Sequence, residues 1–189
     1  MNLFYSEYPD TIEVNGEEIR IVTDFREYVK IIDMLKDTEL NAEEKFSCIK
    51  QYFLQEPDNV LDAIEELISF ISMEALQPDE EQGNTEKQEE RKDLFSFSID
   101  YPFIFSAFLH CYGINIRTIP YMHWWEFKLL FDGLPETTEI KQRIMYRGID
   151  LNEVRDKEER KRISKIQRMI RLPLTAAMND FEIADAFGW

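Results

Sequence analysis

Polar and apolar positions follow a period of two over residues 11–21 and a helical period over most of the chain after them. Thr11-Ile12-Glu13-Val14 and Glu17-Glu18-Ile19-Arg20-Ile21 alternate on either side of Asn15-Gly16. Asn-Gly supplies the two positive-φ positions of a tight turn, so a short β-hairpin is predicted. Asp24 is placed to cap a helix in which Phe25, Tyr28, Val29, Ile32 and Leu35 recur at helical spacing. Asn41 with Glu44 three residues on reads as a capping box, followed by an apolar face of Ala42, Phe46, Ile49 and Phe53. After Glu56-Pro57-Asp58 a third helix is expected to turn Val60, Leu61, Ile64, Leu67, Ile68 and Ile71 inward. Three amphipathic helices with short links suggest a small bundle with the hairpin on one side.

Residues 77–92 contain no large apolar side chain. Such a stretch buries too little surface to offset its ordering entropy, and it reads as a flexible acidic linker or loop. Beyond it, Asp100 and Pro102 mark a helix start. Phe103, Ile104, Ala107, Phe108 and Cys111 make that helix apolar nearly all round, which predicts a central buried helix ended by Gly113. Tyr121 to Phe131 forms a further helix closed by Gly133 and Pro135. Thr137 or Thr138 caps the next, through Ile140 and Ile144 to Arg147 and Gly148. A charged helix from about Arg155 to Arg171 has only Ile163, Ile166, Met169 and Ile170 as its seam. The expected fold is mostly α, a helical bundle with a short N-terminal β-hairpin. Its parts are residues 1–76, the linker 77–92, a helical part 93–172, and an aromatic-bearing tail 173–189.

Charge changes this picture by being uneven. The net charge is −16, and residues 1–93 carry 25 acidic against 9 basic side chains, whereas 94–189 carry 13 of each. Phosphate would be repelled by half of such a molecule, so no nucleic-acid partner is expected. No apolar run approaches the length of a membrane span, and Met1–Glu7 lacks the basic-then-apolar pattern of a secretory signal. Cys48 and Cys111 each sit within an apolar helical pattern and read as reduced, buried thiols.

Residues able to carry chemistry are few. His110 and His123 stand without carboxylate or cysteine partners at ligand spacing, so no metal and no cofactor is expected. The six glycines stand singly, no phosphate loop is present, and no Ser, Cys or Lys carries a nucleophile signature; the chain does not read as an enzyme. Protein binding is the better-supported class. Tyr121 to Leu134 is the densest aromatic run. Trp124 and Trp125 diverge by about 100° on a helix, so the stretch reads either as a helix buried on two sides or as one with one tryptophan buried and the other at the surface beside Phe127 or Lys128. Trp124, Trp125 and Phe127 are therefore candidate docking anchors. Arg143 and Arg147, one turn apart, are candidates to pair with carboxylates of a client or neighbour. The helix Arg155–Arg171, with eight bases and three acids, reads either as a solvated helix with internal ion pairs or as a contact for an acidic surface, such as the acidic half of another copy. In the tail, Phe181, Phe187 and Trp189 have the composition of a linear docking motif, for this domain or for another chain.

The order of these features resembles the phage gene-product-fifteen family of Gram-positive tailed phages and prophages. The elements that carry the likeness are Thr23-Asp24-Phe25-Arg26, Tyr112-Gly113-Ile114-Asn115, His123-Trp124-Trp125-Glu126-Phe127-Lys128-Leu129-Leu130, Gly133-Leu134-Pro135-Glu136-Thr137-Thr138 and Met145-Tyr146-Arg147-Gly148-Ile149-Asp150-Leu151. The resemblance implies a protein encoded beside the tail tape measure. It implies a helical, self-associating, non-enzymatic tail assembly chaperone of the host bacterial cytoplasm that is absent from the mature virion. Its implied partners are the tape measure protein, itself in a head-to-tail arrangement, and other tail assembly proteins. A structural virion protein, or a phage protein acting on a host factor, are the alternatives.

Overall fold

The computed structural model describes residues 3–76 and 94–173, and they fall into two compact units. The first contains residues 3–76 and the short stretch 121–128; the second contains 94–120 and 129–173. Seven α-helices and one two-stranded sheet are present among the described residues. The linker expected at 77–92 and the tail with Phe181, Phe187 and Trp189 lie outside the described residues.

In the first unit, β1 (Thr11–Val14) and β2 (Glu17–Arg20) pair antiparallel, with Ile12 opposite Ile19 and Glu13 opposite Glu18. Asn15 and Gly16 at the turn both have positive φ, 54° and 85°, as the hairpin twist demands. The pleat turns Ile12, Val14 and Ile19 inward and leaves the glutamates in solvent. Helix α1 (Phe25–Leu35) starts where Asp24 accepts from the Arg26 N–H at 2.9 Å. Its deep residues are Phe25, Tyr28 and Ile31, one helical stripe, while Ile32 is half-buried. The capping box of Asn41 and Glu44 opens α2 (Ala42–Ile49). Lys45, buried on α2, donates to the Leu35 carbonyl at 2.9 Å and so places a cation on the C-terminal end of α1.

Helix α3 (Val60–Ser72), capped by Asn59, packs against β1 through Ala63, Ile64, Leu67 and Phe70. The sequence expectation that Leu61 and Ile68 also point inward does not hold, since both are exposed. A helix laid on one sheet face buries one stripe, and these two residues flank it beside Ile64, just past its buried edge. The hairpin turn is tied to α3 by Asn15 Nδ2 donating to Asp62 at 2.8 Å.

In the second unit, α4 (Tyr101–Tyr112) has Pro102 in its first turn and ends at Gly113, whose φ of 69° allows the left-handed cap. It is not the all-round buried helix expected from composition. Ile104, Ala107 and Phe108 are buried, but Tyr101 and Leu109 are exposed. Asp100 precedes the helix, yet its carboxylate makes no cap bond and is turned to another partner. Helix α5 (Trp124–Asp132) begins in the first unit and ends in the second. Helix α6 (Glu139–Gly148) follows Thr138, whose hydroxyl donates to the Pro135 carbonyl instead of capping the helix. Helix α7 (Lys157–Met169) is capped by Asp156 and packs on α6. Its seam is narrower than the sequence suggests: Ile163 is buried, Ile166 and Ile170 are half-buried, and Met169 is exposed. No helix among the described residues is long and apolar enough to cross a membrane.

Candidate protein-binding surfaces

The aromatic stretch around Trp124 is built into the first unit. Residues 121–124 run antiparallel to residues 23–25: Trp124 N–H donates to the Thr23 carbonyl at 2.8 Å, and Phe25 N–H donates to Met122 at 3.0 Å. His123 then opens α5. Its Nδ1 accepts from the Trp125 N–H at 3.0 Å, and its Nε2 lies 3.0 Å from the Pro9 carbonyl. A carbonyl only accepts and a backbone N–H only donates, so the ring is the neutral tautomer protonated on Nε2. Burial holds its pKa below the ordinary histidine value, against the smaller opposing effects of the Pro9 bond and Asp10. Tyr8 stacks on the ring at 4.8 Å. This histidine is a helix cap and a packing surface. Among the described residues no group of His, Cys, Asp and Glu is arranged to hold a metal ion.

Both tryptophans are buried, each 2% exposed, and Phe127 is 1% exposed. The expected split into one inward and one outward indole is corrected by two hydrogen bonds. Trp124 Nε1 donates to the Ile71 carbonyl at 3.0 Å, and Trp125 Nε1 donates to the Phe70 carbonyl at 2.9 Å. These are carbonyls of the last turn of α3, the region a helix leaves without intrahelical donors. Two diverging indoles therefore meet two adjacent acceptors, of which the Phe70 carbonyl also takes the Met73 N–H at 3.2 Å. Tyr28 stacks with Trp124 at 5.3 Å, Phe70 lies 5.5 Å from Trp125, and Phe25 stacks on Phe127 at 4.4 Å. These rings are the core of the unit and present no face to a partner.

The two arginines have partners of their own. Arg147 is buried and bonds both carboxylate oxygens of Asp100, at 2.6 and 2.9 Å, together with the carbonyls of Leu94 and Ile170. It is a structural cross-tie within the second unit. Arg143 pairs with Glu139 at 2.8 Å and lies 3.7 Å over the Phe103 ring.

The surface the sequence reading missed is the outer side of α4. Tyr101, Phe105 and Leu109 recur at intervals of four and form one stripe, because four residues is just over one turn. Tyr101 is 41% exposed and Leu109 45%, with half-buried Phe105 stacked on Tyr101 at 5.9 Å. The signal was present in the sequence as excess apolar residues on this helix. Periodicity alone reads such an excess as burial on two sides.

A second feature is a pocket of about 280 Å³ in the first unit, between α1 and the stretch 48–52. Ile31, Met34 and Val22 line it, and the Glu27–Lys30 pair and Tyr52 stand at its side. The Tyr52 hydroxyl donates to the Glu27 carbonyl at 2.6 Å, and burial pushes its pKa up to about 12.

No curated protein and no solved structure matches this chain. The family described as Bacteriophage Gp15 protein matches residues 4–172, nearly all the described sequence, and the chain belongs to that family of phage proteins.

Proposed function

We propose that this phage protein is a non-enzymatic tail assembly chaperone, which binds the tape measure protein and associates with further copies of itself during tail morphogenesis. It acts with other tail assembly proteins in the host bacterial cytoplasm and leaves no copy in the finished tail. The observation that carries the reading is the exposed apolar stripe Tyr101–Phe105–Leu109 on α4, on a chain of net charge −16. A long helical client offers apolar anchors at intervals of three and four, and such a helix lies along a ridge of this spacing. Strong net charge of one sign keeps the loaded complex soluble by self-repulsion. Trp124, Trp125 and Phe127 are buried in the first unit and do not contact the client.

Co-expression with the tape measure product tests the proposal. The wild-type chain should co-purify with it, and a Tyr101→Ser/Leu109→Ser variant should lose most of the client while keeping its helical content. Purified tails should lack the chain. Its presence there in stoichiometric amount would make it a structural component instead.

A further inference from the structure

Helix α7 carries a charged surface with no partner among the described residues of its own unit. Lys157, Lys161, Lys165 and Arg168 follow each other at intervals of four, four and three, and so share one face. Buried Ile163 and half-buried Ile166 and Ile170 lie on the opposite face. The acids of the helix start are already engaged: Asp156 caps the backbone, Glu158 pairs with Lys161 at 2.7 Å, and Glu159 pairs with Arg162 at 2.6 Å. Lys157, Lys165 and Arg168 have no ion-pair partner among the described residues. Met169, 76% exposed, closes the row with an apolar side chain.

The complementary surface is on α3. It has the same length as α7, thirteen residues, about 20 Å at 1.5 Å per residue. Leu61, Glu65 and Ile68, spaced i, i+4 and i+7, form one exposed stripe along it, and exposed Glu66 lies about 100° round the helix from Glu65. It belongs to a segment, residues 1–76, with 18 acidic and 6 basic side chains. Acids and two apolar residues on one helix thus face the chemistry of four cations and one methionine on the other. Nucleic acid is a poorer occupant of the α7 face, because the rest of the chain repels phosphate.

Resting on the self-association in the function proposed above, we propose that the outer face of α7 docks on the outer face of α3 in a second copy of this chain. The contact is part electrostatic and part apolar, and salt of about 0.5 M should weaken it by screening the exposed charges.

The test is the mass of the purified full chain by analytical ultracentrifugation, in low and in high salt. The wild type should associate in low salt and shift toward monomer in high salt. A Lys161→Glu/Lys165→Glu/Arg168→Glu variant should be monomeric in low salt, and so should Glu65→Lys/Glu66→Lys. Mixing the two variants should restore association, because each retains the native face that the other lacks. Circular dichroism controls for folding. If charge reversal lowers the helix content, the neutral Lys161→Gln/Lys165→Gln/Arg168→Gln variant replaces it and should still weaken association at least tenfold. A monomeric wild type in low salt overturns the proposal, as does association insensitive to these changes. Co-purifying nucleic acid that is lost on charge reversal would assign the α7 face to that ligand instead. Tape measure capture is read separately on the same chains: a wild type that captures the tape measure and self-associates regardless of these changes sinks the docking contact alone, and a wild type that self-associates through this contact but captures no tape measure sinks the chaperone reading alone.

Discussion

Arg147 and Asp100 form a two-pronged ion pair across 47 residues of sequence, with both side chains almost wholly removed from solvent. The same guanidinium bonds the Leu94 carbonyl ahead of α4 and the Ile170 carbonyl at the end of α7. One side chain thereby gathers three segments of the second unit. The carboxylate also accepts from the Ser96 N–H at 3.1 Å, so the pair is closed by hydrogen bonds on both sides.

Removing one partner of this pair should be severe. Asp100→Asn or Arg147→Met leaves a buried charge without its counter-charge and should cost about 3–5 kcal/mol in urea unfolding. The double variant should recover part of that loss, because no buried charge remains. A double variant that loses the sum of the two single losses would mean that the two residues act independently.

Trp124 and Trp125 should matter alike. Replacing either with Ala empties a buried site and should cost about 3–5 kcal/mol. Replacing either with Phe keeps most of the ring and removes the indole donor: about 1–3 kcal/mol is expected for Trp124→Phe, which takes the indole bond from the Ile71 carbonyl, and about 1 kcal/mol for Trp125→Phe, because the Phe70 carbonyl keeps the Met73 N–H. Denaturant midpoints of the four variants check this. A tryptophan that can be changed to Ala without loss would not be part of the core.

The pH dependence of stability should carry a contribution from His123. Folding lowers its pKa through burial, so the unfolded chain takes up the proton first as the pH falls. The contribution is fully present above the ordinary histidine value and is lost as the pH drops through that value toward the folded one. Protonation would also remove the lone pair that accepts the Trp125 N–H. Asn retains a capping acceptor and does not titrate. The wild type should therefore lose more stability than His123→Asn between about pH 7 and about pH 5. Parallel profiles would show that the imidazole is not linked to folding.

The α4 stripe should separate folding from client capture. Tyr101→Ser and Leu109→Ser alter exposed side chains and should change stability by no more than about 0.5 kcal/mol each. As interface anchors, each should weaken tape measure binding by about 2 kcal/mol. Unchanged binding in the double variant would place the anchors elsewhere, with Phe181, Phe187 and Trp189 of the tail as the next to change.

The hairpin at Asn15-Gly16, the Asp24 cap, the Asn41–Glu44 capping box and the Gly113 helix end were all legible in the sequence, together with the mostly α class. Each depends on groups within a few residues of one another, where φ preferences and cap spacing decide the outcome. The destinations of Trp124, Trp125, Arg147 and Asp100 depended on partners 47 to 55 residues away. Helical periodicity gives the direction in which a side chain leaves its own axis, and says nothing of what stands there. For the two tryptophans it was the last turn of α3, whose Ile71 and Phe70 carbonyls accept from the two indoles. For Tyr101 and Leu109 no described residue of the unit covers the outer side of α4, and apolar residues that composition assigned to a core are left exposed.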